Sequence, residues 1–313
     1  MARNSPLDGK LVTLIGGNGF IGSHVAQDLL ERGARVRIAA REPEKAFKLK
    51  PLANLGQLQF ARCNAMDKRS IEACVRGSDA VVYLIGAFDG NQQALQADGA
   101  GHAANVAAQS GASSFVYISA IGADPEASTS YYRTKADGER QVLAAFPKAT
   151  VIRPSIVFGE EDGLVPMFAD LVKIMPIMPV FGADSEFQIV WVDDVAAGIT
   201  SALEDPAAHG GKIYDAAGPE KLTMMQIHKM IADGQGRERT LFPMPAPLAK
   251  IFASVPLTPI NADQLAMLEE GSVAAKGTPG LTKLGVNPKP LSLFLDRWMV
   301  RYRKHGRFTE KRA

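Results

Sequence analysis

The sequence predicts an α/β protein, with a doubly wound parallel sheet followed by a small, mixed C-terminal lobe. Short apolar runs alternate with helical patterns up to about residue 155, an order typical of parallel strands joined by right-handed helical crossovers. The stretch GGNGFIG at 16–22 lies between the first apolar run and the first helical pattern. A glycine-rich turn in that place is typical of Rossmann-type sheets, whose ligands bind at the carboxyl ends of the strands.

The predicted elements follow the apolar and helical periodicities along the chain. Strands are predicted at 10–15, 35–40, 57–61, 80–85, 114–119 and 149–153. Helices are predicted at 20–32, 68–76, 92–110 and 134–145. Residues 8–155, with parts of 185–217, are therefore assigned to a dinucleotide-binding domain. Residues 156–184 and 218–296 are assigned to the small lobe, and 297–313 to a basic C-terminal tail.

The small lobe is rich in methionine and proline at 163–182 and 242–260. Because proline interrupts helices, short helices joined by loops are expected there. One interpretation is a lobe that covers the nucleotide cleft, and the other is an apolar surface that faces a membrane or a quinone. From Arg297 the chain carries seven Lys or Arg residues against one acid. This tail is expected either to contact an anionic membrane or a partner protein, or to be a solvated end.

Composition and charge exclude several functional classes. A net charge of +2 over 313 residues argues against general nucleic-acid binding. The start, MARNSPLDGK, lacks the apolar segment of a secretory signal, and no uncharged apolar run is long enough to span a bilayer. Cys63 and Cys74 have no metal-ligand spacing around them. We therefore expect a cytoplasmic protein without a metal site, either soluble or peripheral to the inner face of the membrane.

The loop at 16–22 predicts a dinucleotide site. Gly16 allows the tight turn after the first strand, Gly19 lets the backbone approach a pyrophosphate, and Gly22 lets helix and strand pack closely. The helix that starts at Phe20 and Ile21 presents unpaired N–H groups and a partial positive charge to the phosphates.

Arg41 indicates which dinucleotide is bound. It lies 19 residues after Gly22, at the end of the second predicted strand. Sites that prefer NAD have an Asp or Glu near this place, whose carboxylate accepts a hydrogen bond from the ribose 2′-hydroxyl. A guanidinium can instead form two charge-assisted hydrogen bonds with a 2′-phosphate. The sequence therefore favours NADP(H) over NAD(H), unless Arg41 merely faces water.

Small and polar residues follow the next two strands. Asn64, with Ala65, is predicted at the cofactor, where the Asn64 side chain meets the adenine edge. In the alternative interpretation this segment is a turn in which Asp67 caps the next helix, and both can hold. After the fourth strand, Gly86 and Ala87 are small enough for the backbone to pass close to the cofactor.

Tyr131 and Lys135 are the candidate catalytic pair. They lie four residues apart near the start of a predicted helix, a spacing that puts both side chains on one face. An ammonium beside a phenol lowers the pKa of the phenol, so Tyr131 is expected to exchange a proton near neutral pH. Lys135 can also hold the nicotinamide ribose. Tyr132 is adjacent, but the spacing to Lys135 favours Tyr131 as the acid.

Several motifs together resemble the short-chain dehydrogenase/reductase superfamily, in its extended, atypical branch. They are GGNGFIG, YISAIGAD (117–124), YYRTK (131–135), RPSIVFGEEDG (153–163) and VWVDDVAAGI (190–199). Within that superfamily the chain is similar to the group of the nucleotide-binding accessory subunit of mitochondrial complex I and its bacterial relatives. The late stretch GTPGLTKLGV at 277–286 adds to this similarity.

The resemblance implies roles for residues around the cofactor. The three spaced glycines would hold the pyrophosphate, Arg41 the 2′-phosphate and Lys135 the nicotinamide ribose, with Tyr131 as acid/base. Arg153, Pro154 and Ser155 would border the nicotinamide.

The resemblance also concerns Asp193 and Asp194, which lie in the motif that usually ties the second lobe to the core. Capping of the helix that follows them is the favoured interpretation.

One position departs from the family pattern. Active members usually carry Ser or Thr beside the substrate carbonyl, and this position aligns with Ala120, directly after Ser119. Ser119 is the candidate catalytic hydroxyl. If Ser119 points into the sheet, the site lacks its usual hydroxyl donor, which lowers activity without abolishing cofactor binding.

Two functions fit these residues. The first is an NADP(H)-dependent oxidoreductase that reduces a hydrophobic carbonyl or quinone-related small molecule. The second is a non-catalytic protein that binds NADPH as a structural ligand and serves as an accessory or assembly factor of a respiratory or quinone-synthesis complex. An epimerase of sugar nucleotides suits the fold, but little in the second lobe would hold a diphosphate.

Overall fold

The computed structural model describes residues 5–160, 163, 165–254 and 260–303. The chain divides into two compact units. Of the described residues, the first unit contains 5–154, 192–216 and 274–287, and the second contains those of 155–191, 217–273 and 288–303. Residues 304–313, which make up most of the predicted basic tail, lie outside the described residues.

The described elements alternate in the first half of the chain and become short in the second. In chain order the strands are β1 (Leu11–Ile15), β2 (Arg35–Ala40), β3 (Leu58–Arg62), β4 (Ala80–Tyr83), β5 (Ser114–Ile118), β6 (Thr150–Pro154), β7 (Val157–Phe158), β8 (Ile177–Val180), β9 (Glu186–Phe187), β10 (Val190–Trp191), β11 (Ile213–Ala216), β12 (Leu222–Thr223) and β13 (Thr240–Pro243). The α-helices are α1 (Phe20–Glu31), α2 (Lys68–Val75), α3 (Gly99–Gln109), α4 (Ser130–Ala145), α5 (Val165–Ile174), α6 (Val192–Glu204), α7 (Pro206–His209), α8 (Met224–Gly234), α9 (Ala246–Ser254), α10 (Ala262–Glu270) and α11 (Ser292–Trp298). A π-helical turn spans Gln93–Asp98, and 3-10 helices span Pro43–Leu52, Leu281–Leu284 and Met299–Tyr302.

A parallel sheet of seven strands forms the centre of the first unit, in the order β11-β6-β5-β4-β1-β2-β3. The strands run outward from β1 on both sides, which is the doubly wound topology. Every residue of β1, β4 and β5 is buried, as expected for parallel strands covered by helices on both faces. The predicted Rossmann-type sheet is therefore confirmed.

Two helices differ from their predicted bounds by more than one residue. The helix predicted at 134–145 begins earlier, at Ser130, because the Thr129 side chain accepts a hydrogen bond from the Tyr132 N–H and caps α4. The helix predicted at 92–110 is interrupted, since its first part is the π-helical turn Gln93–Asp98. Such turns are rare and are frequently found at functional sites.

The second unit is small and mixed, as predicted. It has three pairs of short strands, of which β7–β10 and β8–β13 are parallel and β9–β12 is antiparallel. Its core is aromatic and aliphatic around Phe158, Phe187 and Trp298. The proline-rich segments form short helices, α5 of 10 residues and α9 of 9.

The segment 274–287 lies in the first unit, although the sequence assigned it to the small lobe. The Ala275 N–H donates to Asp215 Oδ2 of β11 at 2.9 Å. Leu281 lies against Gly198 of α6, where an added Cβ would stand 2.7 Å from the leucine Cδ2. These contacts are remote in sequence, so no local pattern indicated them.

No helix among the described residues is both long and apolar enough to cross a membrane.

Candidate functional site

The glycine-rich loop turns sharply between β1 and α1. Gly16 has a φ of +83°, in the left-handed region that favours glycine. A Cβ on Gly22 would lie 2.6 Å from the Gly17 Cα, so only glycine lets the helix approach the loop this closely. The prediction that Gly22 permits close packing therefore fits, but its partner is Gly17. Gly17 was not among the residues predicted from the sequence, although it is part of the same glycine run.

The N-terminus of α1 has the features of an anion-binding site. Gly19 is the N-cap residue, and no side chain caps the helix there. The N–H groups of Phe20, Ile21 and Gly22 have no acceptor within the helix, because the first turn lacks a preceding turn. These groups and the helix dipole together favour a bound phosphate. A loop that only glycine fits, followed by an uncapped helix start, suits a pyrophosphate.

Two arginines stand at the carboxyl ends of neighbouring strands. Arg41 follows β2 and Arg62 ends β3, and the register pairs Ala40 with Arg62. Both guanidinium groups are exposed and line an open depression of about 680 Å³, together with Glu42, Cys63, Asn64 and Ser70. Arg62 Nε donates to the Arg41 carbonyl oxygen at 3.2 Å. Arg62 was missed by the sequence analysis, because its position beside Arg41 depends on strand register.

The turn after β3 has the alternative predicted structure, in which Asp67 caps the next helix. Asp67 caps α2, since its Oδ1 accepts from the Arg69 N–H at 3.0 Å. Asn64 Oδ1 accepts from the Met66 N–H at 3.1 Å, which leaves the Asn64 carboxamide at the depression with its NH₂ donors. Ala65 is buried in the core.

Gly86, Tyr131 and Lys135 converge after β4. A Cβ on Gly86 would stand 3.4 Å from Tyr131 Oη and 3.8 Å from Lys135 Nζ. Gly86 is exposed and Ala87 half-buried, in the segment that leaves the sheet at its carboxyl edge. Because Gly86 has no side chain, it does not cover the Tyr131 hydroxyl or the Lys135 ammonium.

The Lys135 ammonium is buried and held by backbone carbonyls. Nζ donates to the oxygens of Ile85 at 2.9 Å and Ile118 at 2.8 Å, at the ends of β4 and β5. An ammonium has three donors, so one remains. Burial lowers the pKa of Lys135 to about 7, and the Glu139 carboxylate opposes that shift.

Tyr131 behaves differently from the expectation. Burial and the neighbouring Tyr132 raise the pKa of the Tyr131 phenol, whereas Lys135 was expected to lower it. The lysine ammonium is bonded to carbonyl oxygens and lies 5.9 Å from the Tyr131 ring centroid. The exposed ring of Phe88 stacks on Tyr131, with centroids 4.7 Å apart, and shields the phenol. The expected spacing on one helix face is present, but the expected direction of the pKa shift is wrong.

Ser119 is directed toward Glu139 of α4. Its hydroxyl donates to the Glu139 carboxylate, and the side chain is buried. Arg153 binds the same carboxylate with two hydrogen bonds, Nε to Oε1 at 2.7 Å and Nη2 to Oε2 at 2.6 Å. Ser119 and Arg153 are thus tied to α4 through Glu139. Glu139 closes the motif YRTKADGE, but nothing in that spacing indicated a buried ion pair with β6.

Gln96 is an additional polar group at this place. It is fully buried in the π-helical turn, and its Nε2 donates to Thr134 Oγ1 at 3.0 Å. Its Oε1 has no hydrogen-bond partner among the described residues and would lie 4.0 Å from a Cβ on Gly86. A buried acceptor without a partner is costly unless a bound molecule or water completes it. No sequence signal separated Gln96 from other helix glutamines.

The remaining candidates have structural partners. The Pro154 carbonyl oxygen accepts from the Ile121 N–H at 3.0 Å, and Ser155, in the second unit, donates to the Ser272 carbonyl oxygen at 3.0 Å. Asp193 forms a hydrogen bond with His24 of α1.

Asp193 and Asp194 both stand in the first turn of α6, where carboxylates are favoured by the helix dipole. The described residues contain no group of three His, Cys, Asp or Glu side chains that could hold a metal ion.

Comparisons with known proteins agree with this geometry. Residues 16–170 match the family described as NAD(P)H-binding. The chain is 32% identical to the "NADH dehydrogenase [ubiquinone] 1 alpha subcomplex subunit 9, mitochondrial" of Mus musculus, over 96% of this chain and 82% of that protein. It is 24% identical to the "Ceramide reductase" of Caulobacter vibrioides, over 76% of this chain and 74% of that protein.

A solved nucleoside-diphosphate-sugar epimerase from Staphylococcus aureus has the same fold, with a TM-score of 0.73 and 16% identity, over 91% of this chain and 99% of that one. The sheet, the glycine-rich loop and the similarity along nearly the whole chain lead to one assignment. The protein belongs to the extended, atypical short-chain dehydrogenase/reductases, in the group of the nucleotide-binding accessory subunit of mitochondrial complex I and its bacterial relatives.

Proposed function

We propose that the protein is an NADP(H)-dependent oxidoreductase that reduces a hydrophobic carbonyl or quinone-related compound. The observation that carries this proposal is the convergence of Tyr131 Oη and Lys135 Nζ on Gly86 at the carboxyl edge of the sheet. Ligands of doubly wound sheets bind at that edge. A proton donor and a cation beside the cofactor-binding edge suit proton transfer to a substrate oxygen.

A bound NADPH would supply hydride to the carbonyl carbon of the substrate. Tyr131 would donate its hydroxyl proton to the substrate oxygen. The raised pKa of Tyr131 keeps the phenol protonated near neutral pH, so the donor is present before the reaction. The Lys135 ammonium would stabilise the phenolate that forms. Because the pKa of Lys135 is lowered to about 7, this lysine can return a proton to Tyr131 near neutral pH.

The same site predicts slow turnover. Ser119 is bonded to Glu139, and Ala120 has no hydroxyl, so the usual donor to the substrate oxygen is missing. Loss of one such donor typically costs ~2.7–4 kcal/mol of transition-state stabilisation. Tyr131 therefore carries most of the stabilisation of that oxygen.

The preference for NADP(H) is supported by the two arginines at the depression. Arg41 and Arg62 extend from adjacent strand ends, and neither guanidinium is bonded to a carboxylate in the described residues. Arginine suits a phosphate because its donors form a rigid fork. Asn64 would then lie at the adenine.

A hydrophobic substrate is supported by Phe88. Its ring is 44% exposed and stacks directly on Tyr131, so an apolar surface adjoins the proton donor. The similar reductase from Caulobacter vibrioides is named for ceramide, a lipid. We therefore propose catalytic roles for Tyr131 and Lys135, whereas Ser119 is a structural residue that binds Glu139.

The second candidate function is a structural NADPH-binding protein attached to a respiratory or quinone-synthesis assembly at the inner face of the membrane. The similarity to the mouse complex I subunit favours it. A specific feature of the second unit also favours it, namely an exposed apolar surface on β8, β13 and α9. Its large exposed side chains are Ile177, Phe242, Leu248, Ile251 and Phe252.

The strands and the helix α9 of this surface meet through one aromatic contact. Phe242 pairs with Pro179 across the β8–β13 ladder, two residues from Ile177 on the same face. The Phe252 ring of α9 contacts Phe181, which follows β8, with centroids 5.3 Å apart. Lys250 lies in α9, Lys173 lies near the end of α5 before β8, and Arg239 directly precedes β13, where Glu238 is the adjacent acid. An apolar face with flanking cations suits an anionic bilayer surface.

Replacement of Arg41 by Asp should weaken NADPH binding at least about tenfold and leave NADH binding nearly unchanged, because a charge-assisted bond to the 2′-phosphate is lost. Fluorescence titration with both nucleotides measures this. Arg35→Asp, the same charge change at the opposite end of β2, is the control and should have no effect. Equal affinity of the unaltered protein for NADPH and NADH would refute the assignment.

Replacement of Tyr131 by Phe should lower NADPH oxidation with hydrophobic ketones and quinones by about 10²–10⁴-fold, since the proton donor is removed. NADPH affinity should stay the same. Tyr132→Phe removes the adjacent hydroxyl and should keep full turnover. If the unaltered protein binds NADPH tightly but never oxidises it, the structural-ligand function is the correct one.

Replacement of Lys135 by Met should change how stability depends on pH. Since the folded pKa is about 7 and the unfolded value 10.5, the unfolded chain binds an extra proton between these pH values. The free energy of unfolding of the unaltered protein should therefore rise with pH through this range, relative to the variant. Urea unfolding from pH 7 to 10 measures it, with the exposed Lys212→Met as control. Identical pH slopes in all three proteins would contradict the lowered pKa.

The double replacement Leu248→Asp with Ile251→Asp should reduce co-sedimentation with phosphatidylglycerol vesicles at least about tenfold, because each buried aliphatic side chain contributes ~1.5–3 kcal/mol. Leu55→Asp, at a fully exposed leucine of the first unit, is the control. Sedimentation with neutral phosphatidylcholine vesicles should be weaker throughout. Equal sedimentation of all variants would contradict membrane binding by this surface.

A further inference from the structure

A carboxylate stands beside the two arginines of the depression, where the proposed function places the 2′-phosphate. Glu42 follows Arg41 directly and lines the depression together with Arg41 and Arg62. Its side chain is 50% exposed. A carboxylate repels a phosphate, and it accepts a hydrogen bond from a ribose 2′-hydroxyl. The depression therefore contains both the residue type that favours NADP(H) and the residue type that favours NAD(H).

Lys45 pairs with this carboxylate. Its Nζ forms a salt bridge with Glu42 Oε2 at 2.8 Å. The Lys45 N–H also donates to the Glu42 carbonyl oxygen at 3.2 Å, in the first turn of the 3-10 helix Pro43–Leu52. A backbone contact and a side-chain contact thus hold the ammonium beside the carboxylate. Lys45 is not among the described residues that line the depression, so its contact with that site is Glu42.

The glycine-rich loop also holds Glu42 in place. Asn18 Nδ2 donates to the Glu42 carbonyl oxygen at 3.1 Å. Asn18 lies between Gly17 and Gly19, in the loop that would hold the pyrophosphate. The Glu42 backbone is therefore fixed relative to that loop, and only its side chain can change direction. Loss of the salt bridge to Lys45 would free the carboxylate to turn into the depression.

The charges around Glu42 keep it ionised. The hydrogen bond from Lys45 and the charge of that lysine lower the pKa of Glu42, and the charges of Arg41 and Arg62 add to this effect. Glu42 is therefore a carboxylate at neutral pH, and without its partner it would present a full negative charge to a phosphate. An exposed ion pair contributes little to folding stability, so we expect its effect in ligand binding.

We propose that Lys45 is a positioning residue that sets the nucleotide preference of this site. By holding the Glu42 carboxylate in a salt bridge, it lets Arg41 and Arg62 bind a 2′-phosphate without an opposing charge. Without Lys45, Glu42 would repel the 2′-phosphate and accept a hydrogen bond from the 2′-hydroxyl of a nucleotide that lacks it. This inference rests on the proposed NADP(H) site and names the residue on which its preference depends.

Adenosine 2′,5′-bisphosphate and 5′-AMP test this inference, because they differ only in the 2′-phosphate. Isothermal titration calorimetry at low salt gives the affinity of the intact protein for each. Lys45→Gln should weaken binding of the bisphosphate at least about fivefold, the effect of one unit charge a few ångströms away in water, and should not weaken binding of 5′-AMP. Glu42→Gln added to Lys45→Gln should restore the affinity for the bisphosphate. As a control, Lys10→Gln breaks an exposed ion pair with Asp79, before β1, and should have no effect.

The outcomes separate this inference from the proposed function. The inference is overturned if Lys45→Gln keeps the full affinity for the bisphosphate, or if it weakens both ligands equally, which indicates a structural effect. It is also overturned if Glu42→Gln fails to restore binding, because Lys45 would then contact the phosphate itself. Equal affinity of the unaltered protein for the two ligands contradicts the NADP(H) preference of the proposed function together with this inference. A preference that survives Lys45→Gln contradicts this inference alone.

Discussion

The buried ammonium of Lys135 ties α4 to the carbonyl ends of β4 and β5, through the oxygens of Ile85 and Ile118. A cation at this depth is tolerated because those carbonyls replace part of its hydration. One turn earlier on the same helix stands Tyr131, and one turn later Glu139, which binds Arg153 of β6 and Ser119 after β5. The helix is thus fixed to three adjacent strands, and the position of the Tyr131 hydroxyl follows from that attachment.

The same attachment explains why the site supports two functions. It fixes the Tyr131 hydroxyl beside Gly86, where the proposed reductase would need its proton donor. It also uses the Ser119 hydroxyl to satisfy the buried Glu139, so this hydroxyl donates to a carboxylate and not to a bound molecule. A chain of this kind retains the dinucleotide loop and the Tyr–Lys pair whether or not turnover is fast. The reductase and the structural NADPH-binding protein would therefore share these residues. They would differ in the rate of hydride transfer and in whether a substrate can reach the site.

Local patterns predicted much of the fold, because the alternation of apolar strands and amphipathic helices in such a sheet is visible in the sequence. The strands, the Asp67 cap and the turn at Gly16 are all local features. What the sequence did not reveal depends on long-range contacts. Arg62 stands beside Arg41 only through the β2–β3 register, and Glu139 meets Arg153 only when α4 covers β6. The segment 274–287 joins the first unit through Asp215.

The predicted direction of the Tyr131 pKa shift was wrong because it too depends on contacts that are remote in sequence. From sequence, Lys135 is a free cation four residues away, which predicts a lowered pKa. In the structure its protons are directed to two carbonyl oxygens, and Phe88 covers the phenol. Burial therefore dominates over the charge.

Transfer of label from NADPH deuterated at the nicotinamide C4 is the measurement that tests the central claim most directly. The purified protein is incubated with this cofactor and a series of hydrophobic ketones and quinones, and the products are analysed by mass spectrometry. We predict a ketone-derived alcohol with deuterium on the carbinol carbon, formed only by protein that retains Tyr131. NADPH that stays bound and keeps its deuterium with every compound would contradict catalysis and leave the dinucleotide as a structural ligand.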